Sequence, residues 1–120
     1  MIARMGTVVL DCPDPRALAD FYAELTGWQV AESADDDWVG LAGGGQVDLA
    51  FQRVADHRPP RWPDPAYPQQ FHLDVYVENL DVAEEQVLAL GATLLSGSDK
   101  PVGFRVYADP AGHPFCLCTN

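Results

Sequence analysis

A chain of 120 residues, 48% of them apolar and 21% charged, has the composition of one folded globular domain and is too short for two independent ones. Its formal net charge of −11, with seven lysines and arginines in all, argues against a nucleic acid partner, because phosphate backbones are bound by clustered cations. A neutral or cationic small organic molecule fits that charge better. No apolar run approaches the ~20 residues that span a bilayer, and Arg4 near the start is followed by no signal-like segment, so a cytoplasmic protein without a membrane partner is expected.

Residues 5–11 alternate, with Val8 and Leu10 on one face and Thr7, Val9 and Asp11 on the other, which is the period of a strand. Pro13, Asp14 and Pro15 stop it. Asp14 as N-cap and Pro15 at the first helical position then open a helix in which Leu18, Phe21, Tyr22 and Leu25 recur at helical spacing until Gly27. Three short β-prone stretches follow at 28–31, 38–41 and 47–54, separated by residues 33–37 and by Gly43, Gly44 and Gly45. Between 55 and 70, Pro59, Pro60, Pro63, Pro65 and Pro68 crowd around Trp62 and predict a semi-rigid connector.

The order then begins again. Residues 71–77 alternate, Asn79 or Asp81 can cap a helix holding Val82, Val87, Leu88 and Leu90, and Gly91 ends it. Strands are predicted at 93–96, 103–107 and 114–118, the last two joined by the turn Asp109-Pro110-Ala111-Gly112. Thr7 falls against His72, Asp14 against Asn79, and Gly27 against Gly91 after a one-residue gap. The fold class expected is therefore α+β, two tandem βαβββ modules forming a curved mixed sheet, a cup, with the helices outside. A lone module would leave a sheet face and its edges uncovered. The whole chain, 1–120, is expected to be a single domain, with module one at about 1–55 and module two at about 71–120.

Several stretches carry a family resemblance: Leu49-Ala50-Phe51-Gln52-Arg53-Val54, Phe71-His72-Leu73-Asp74-Val75, Leu88-Ala89-Leu90-Gly91-Ala92, the run from Val106 through Asp109-Pro110-Ala111-Gly112-His113 to Leu117, and Phe21-Tyr22 with Leu25-Thr26-Gly27-Trp28. The chain resembles the glyoxalase-like and bleomycin-resistance-like branch of the vicinal oxygen chelate superfamily. The resemblance spans nearly the whole chain and is specific for fold; for function it is broad, since the scaffold hosts isomerases, dioxygenases, thiol transferases and drug-sequestering proteins. It implies a homodimer and a divalent metal (Zn, Ni, Mn or Fe) held by one ligand from the first and one from the last strand of each module, usually His, Glu or Gln, His and Glu.

Carried over position by position, the first ligand place holds Thr7, the third His72 and the fourth Cys116, while the second falls at Asp48 with one gap near the glycines, or at Leu49 without it. Strand alternation favours Asp48, which shares a face with Ala50 and Gln52. The metal candidates are thus His72, Asp48 and Cys116, with Thr7 a poor ligand at the remaining place. His72 with Asp48 or Gln52 are the candidate catalytic residues. Thr7, Asp11, Trp38, Trp62, Asp74, Tyr76 and Cys116 are the candidate ligand-binding residues, the aromatic ones by stacking and the carboxylates by neutralising a cation. Trp28 is a further aromatic candidate, and Trp62, an aromatic residue in a proline-rich loop, could serve as a lid. Cys116 reads as a small buried hydrophobe more than a nucleophile. The three cysteines fit no zinc or disulfide spacing, and His57 and His113 are expected to be exposed.

Three functions are compatible with this pattern. The first is a metal-free binder of the bleomycin-resistance type, the second a metal-dependent lyase or isomerase of the glyoxalase type, and the third a metal-independent biosynthetic enzyme.

Overall fold

The computed structural model describes residues 1, 4–32, 35–97 and 103–119. Ser33 and Ala34 of the first expected connection, and residue 120, lie outside the described residues, as do 98–102. The chain divides into two compact units, Met1–His57 and Arg58–Asn120, and each has the strand, helix, three-strand order that the repeat predicts.

In the first unit β1 (Thr7–Cys12) leads into α1 (Pro15–Thr26), then β2 (Gln29–Val30), β3 (Trp38–Ala42) and β4 (Asp48–Arg53), with sheet order β1-β4-β3-β2. The Asp14 side chain accepts from the Ala17 amide at the helix start, Pro15 fills the first turn, and Gly27, at φ 76°, closes the helix by donating its amide to the Ala23 carbonyl. Leu18, Phe21 and Tyr22 turn one face of α1 toward the sheet, where Tyr22 stacks on Phe51 at 5.6 Å. Leu10, Val39, Leu41 and Phe51 complete that core, each nearly inaccessible to solvent. Trp28, expected in a strand, precedes β2 and packs its indole where a Cβ on Gly43 would have to stand, so it is occupied in holding the glycine turn.

The second unit repeats the plan with β5 (Leu73–Tyr76), α2 (Leu80–Ala89), β6 (Thr93–Ser96), β7 (Phe104–Ala108) and β8 (Pro114–Cys118), in the order β5-β8-β7-β6. In both sheets the first strand of the module lies at one edge and pairs parallel with the last, and the remaining neighbours run antiparallel. Of the two possible caps Asn79 is the one used, accepting from the Val82 amide. Helix α2 ends one residue earlier than expected, capped by Leu90, with Gly91 at φ 108° just after it.

Helix α2 buries little apolar surface, Ala83 and Val87. Polar contacts tie it to the sheet instead. Arg105 on β7 donates to Asp81 at 2.7 Å and lies 3.6 Å from Glu84, while the Tyr107 hydroxyl donates to Glu84 at 2.8 Å. The hydrogen bond to Asp81 raises the Arg105 pKa, and burial together with the Glu84 contact raises that of Tyr107, so arginine stays charged and tyrosine neutral.

One expectation is overturned here: His113 is fully buried. The Asp109 carboxylate accepts from the amides of Ala111 and His113, and the Asp109 amide donates to the His113 carbonyl at 2.8 Å. That folded turn brings the ring inward, 5.0 Å from Phe71. His57 is half-buried.

The proline connector is ordered by its own bonds. Arg61 and Tyr67 are joined by an amide-to-carbonyl bond of 2.8 Å, Asp64 bonds to both ends, and the Arg61 guanidinium lies 4.4 Å from the centre of the Tyr67 ring. Prolines restrict the chain between these contacts. The result is a built loop that carries Trp62, joined to Pro63 by a cis peptide bond.

Candidate functional site

Strand alternation gives each sheet one face under its helix and one free of it. In the second unit Leu73, Val75, Phe115, Leu117, Arg105 and Tyr107 share the helix side, so Asp74, Tyr76, Cys116, Cys118, Phe104 and Val106 share the other. The register orders that open face in rows: Asp74, Cys116 and Val106 lie side by side across β5, β8 and β7, and Tyr76, Cys118 and Phe104 form the next row. Phe104 and Tyr76 are exposed at 49% and 66%, unusual for large apolar side chains with no role in contact.

Two adjoining cavities lie on this face. One, of about 190 Å³, has Trp62, Phe104, Val106 and Pro114 as apolar walls, with Gln69, His72 and Cys116 also lining it. The other, of about 400 Å³ and more open, shares His72, Phe104 and Cys116 and extends to Asp74, Tyr76 and Cys118. Such a mixture, apolar walls with a few polar groups, is what a small-ligand site presents.

Electrostatically the face is mild. His72 Nε2 stands 3.6 Å from Asp74 Oδ1, both half-exposed. Burial, then the Asp74 charge, push the Cys116 thiol up to about 11, and the same two causes raise Cys118. Both thiols are therefore protonated near neutral pH. With the Cys116 value at about 11 against an ordinary 9, its thiolate fraction at pH 7.5 is lower by roughly 100-fold, and alkylation by iodoacetamide is slowed accordingly. Mass spectrometry should show modification at Cys116 rising about tenfold per pH unit between pH 7 and 9.5, as expected while thiolate remains the minor form. A rate that levels off below pH 9 would contradict the raised value.

In the first unit the corresponding face holds Thr7, Val9 and Asp11 on β1, Asp48, Ala50 and Gln52 on β4, and Trp38 and Gly40 on β3. Asp11, Gln52 and Trp38 form one row, and Trp38 is 45% exposed. The two helix caps, Asp14 and Asn79, align Val9 with Asp74. Val9 pairs with Ala50 and Asp74 pairs with Cys116, so the counterpart of Cys116 is Ala50. This corrects the expected equivalence with Asp48, which pairs with Thr7 at the start of the ladder. The same registers make Trp38 the counterpart of Phe104.

A glyoxalase-like domain family model matches residues 7–118, which covers every strand and both helices. The chain belongs to that family. Solved structures agree with the glyoxalase-like fold over essentially the full length: a glyoxalase/bleomycin resistance protein/dioxygenase family enzyme from Burkholderia phytofirmans is 21% identical, with TM-score 0.75 and 98% of each chain covered. The bleomycin-binding protein of Streptomyces verticillus, solved with copper(II)-bleomycin, is 18% identical with TM-score 0.60, covering 100% of this chain and 99% of the other. An antibiotic-binding protein from Streptomyces sp. CB03234 is 19% identical with TM-score 0.64, covering 98% and 96%. No curated protein matches the chain significantly. Among the described residues no helix is long and apolar enough to cross a membrane.

The donors of this glyoxalase-like domain do not fit the metal that the family resemblance implies. Of the four aligned places, Thr7 offers a neutral hydroxyl, Ala50 offers nothing, and Cys116 offers a thiol where the family set has a carboxylate. His72 alone keeps the expected type, and the described residues contain no group of three His, Cys, Asp or Glu side chains arranged to hold a metal. Of the candidate ligand-binding residues, the second unit brings Trp62, Asp74, Tyr76 and Cys116 together with His72. Asp48, Gln52, Thr7, Asp11 and Trp38 belong to the first unit's own face. Phe104, Val106, Pro114 and Gln69 were not anticipated; the match of Phe104 to Trp38 across the repeat is the signal that points to the first of them.

Proposed function

We propose that this glyoxalase-like domain is a binder of compact organic molecules, of the bleomycin-resistance type, that works without a metal. The carrying observation is the cavity between Trp62 and Phe104, apolar on its walls and served by Gln69 and His72, in a face whose thiols are protonated. Likeness to bleomycin-binding and antibiotic-binding proteins supports a sequestering role. A volume of about 190 Å³ suits a single ring rather than a whole glycopeptide, since an apolar cavity of about 150 Å³ holds benzene. The homodimer implied by the resemblance and the cytoplasmic setting expected from the sequence belong to the same reading. A glyoxalase-type lyase or isomerase would need metal donors that Thr7 and Ala50 do not supply.

Benzamide, a neutral single-ring amide, is a suitable probe. Titrated into isotope-labelled protein and followed by amide NMR, it is expected to give saturable shifts at Phe104, Val106 and Cys116, unchanged after dialysis against EDTA, with the probe recovered intact. No saturable shift on this face, or shifts that vanish with the chelator, would refute the reading.

A further inference from the structure

We propose that the natural ligand is an aromatic cation, its ring in the Trp62–Phe104 cavity and its positive group beside Asp74; this rests on the binding function just proposed and narrows its ligand class. The first support is the charge of the lining. Among the described residues, no arginine or lysine lines either cavity, and Asp74 is the full charge they contain. Arg105, one strand away in sequence alternation, points to the helix side and is engaged by Asp81 and Glu84. Arg61 is stacked on Tyr67.

The second support is the aromatic content. Trp62 and Phe104 line the smaller cavity and Phe104 and Tyr76 the larger one that adjoins it, and a cation over an aromatic ring is attracted by its quadrupole. A neutral ring would use the stacking alone. A carboxylate ligand would meet the Asp74 charge with no lysine or arginine in the lining to offset it.

Spacing gives the third. Asp74 is one strand from Cys116 and two from Val106 in the same row, so its carboxylate lies about 5–10 Å from the cavity wall at the usual strand separation. A ring bearing an amidinium or ammonium directly, or on one or two carbons, spans that distance. His72, at 3.6 Å from Asp74, occupies the place that the ligand's cation would share or take. The overall charge of −11 adds a long-range field that draws cations and repels anions.

Benzamidine, benzamide and benzoate share one ring and differ in charge, which makes the test direct. By amide NMR titration, benzamidine is expected to bind this face about tenfold tighter than benzamide, the gain that a half-exposed ion pair and cation–π contacts together supply, with benzoate weakest. In Asp74→Asn the ratio of benzamidine to benzamide affinity, both measured on the variant, should collapse to within about twofold, because an ion pair needs the charge and stacking does not. Equal binding of benzamidine and benzamide, or an advantage that survives Asp74→Asn, would overturn the cation assignment while leaving the binding function intact. Failure of all three probes to shift this face would overturn both.

Discussion

Replacing Phe115 by alanine is expected to destabilise the protein by about 3–5 kcal/mol, the usual cost of removing a buried phenylalanine from a packed core. Phe115 is fully buried on the helix side of β8, flanked in register by Leu73 and Tyr107 and stacked on the Tyr107 ring at 5.6 Å. Tyr107 in turn carries the hydroxyl that holds Glu84 of α2. Because α2 buries only Ala83 and Val87 of its own, loosening Tyr107 also loosens the helix. For a chain of this length the melting temperature should fall by on the order of 10–20 °C. Phe51→Ala, in the equivalent layer of the first unit beneath Tyr22, is expected to act similarly. Both substitutions should move one common calorimetric transition, since a unit of about 60 residues buries too little surface to be more than marginal alone. Two separate transitions, with each variant shifting one of them, would show that the chain is not a single cooperative domain.

What could be read from the sequence was the two-module repeat and the local signals that bound its elements. Asp14 with Pro15, and Asn79, are capping signals whose chemistry acts within four residues, and both helices start where those residues place them. The strand at 114–118 is bounded by the Asp109 turn and alternates visibly, and its limits are those observed. Boundaries drifted where the signal was weak: Trp28 is β-prone by type, yet it is taken up by packing on Gly43, and β2 shrinks to two residues.

The site was less legible, for physical reasons of the same kind. Whether Asp48, Leu49 or Ala50 matches Cys116 depends on how the chain turns at the three glycines, residues with no side chain to fix a register; the ladder itself, Val9 on Ala50 and Asp74 on Cys116, decides it. Burial of His113 depends on two hydrogen bonds from backbone amides to Asp109, contacts that composition does not display. Phe104 reads as one more strand aromatic until the register sets it beside Cys118 and opposite the helix side. By contrast Trp62 was recognisable, since an aromatic residue in a proline-rich segment has few core neighbours, and the connector's own bonds then deliver it to the cavity.

Trp62 is accordingly where the largest effect on binding is expected. Trp62→Ala should weaken benzamide binding about tenfold or more, combining a lost aromatic contact of about 0.5–1.5 kcal/mol with the apolar area no longer covered. Trp62→Phe keeps a ring at the same place and should recover most of the affinity. The loop that bears Trp62 is held by Arg61, Asp64 and Tyr67 through backbone and ring contacts that do not involve the indole, so thermal stability should change little. Phe104→Ala removes the other aromatic wall, and because one ring would lie against both, the double variant should lose less than the sum of the single losses. If Trp62 served only to pack the connector, Trp62→Ala would instead lower the melting temperature and leave the NMR-derived affinity where it was. The pairing of those two readouts separates a wall of the binding site from a plug in a loop.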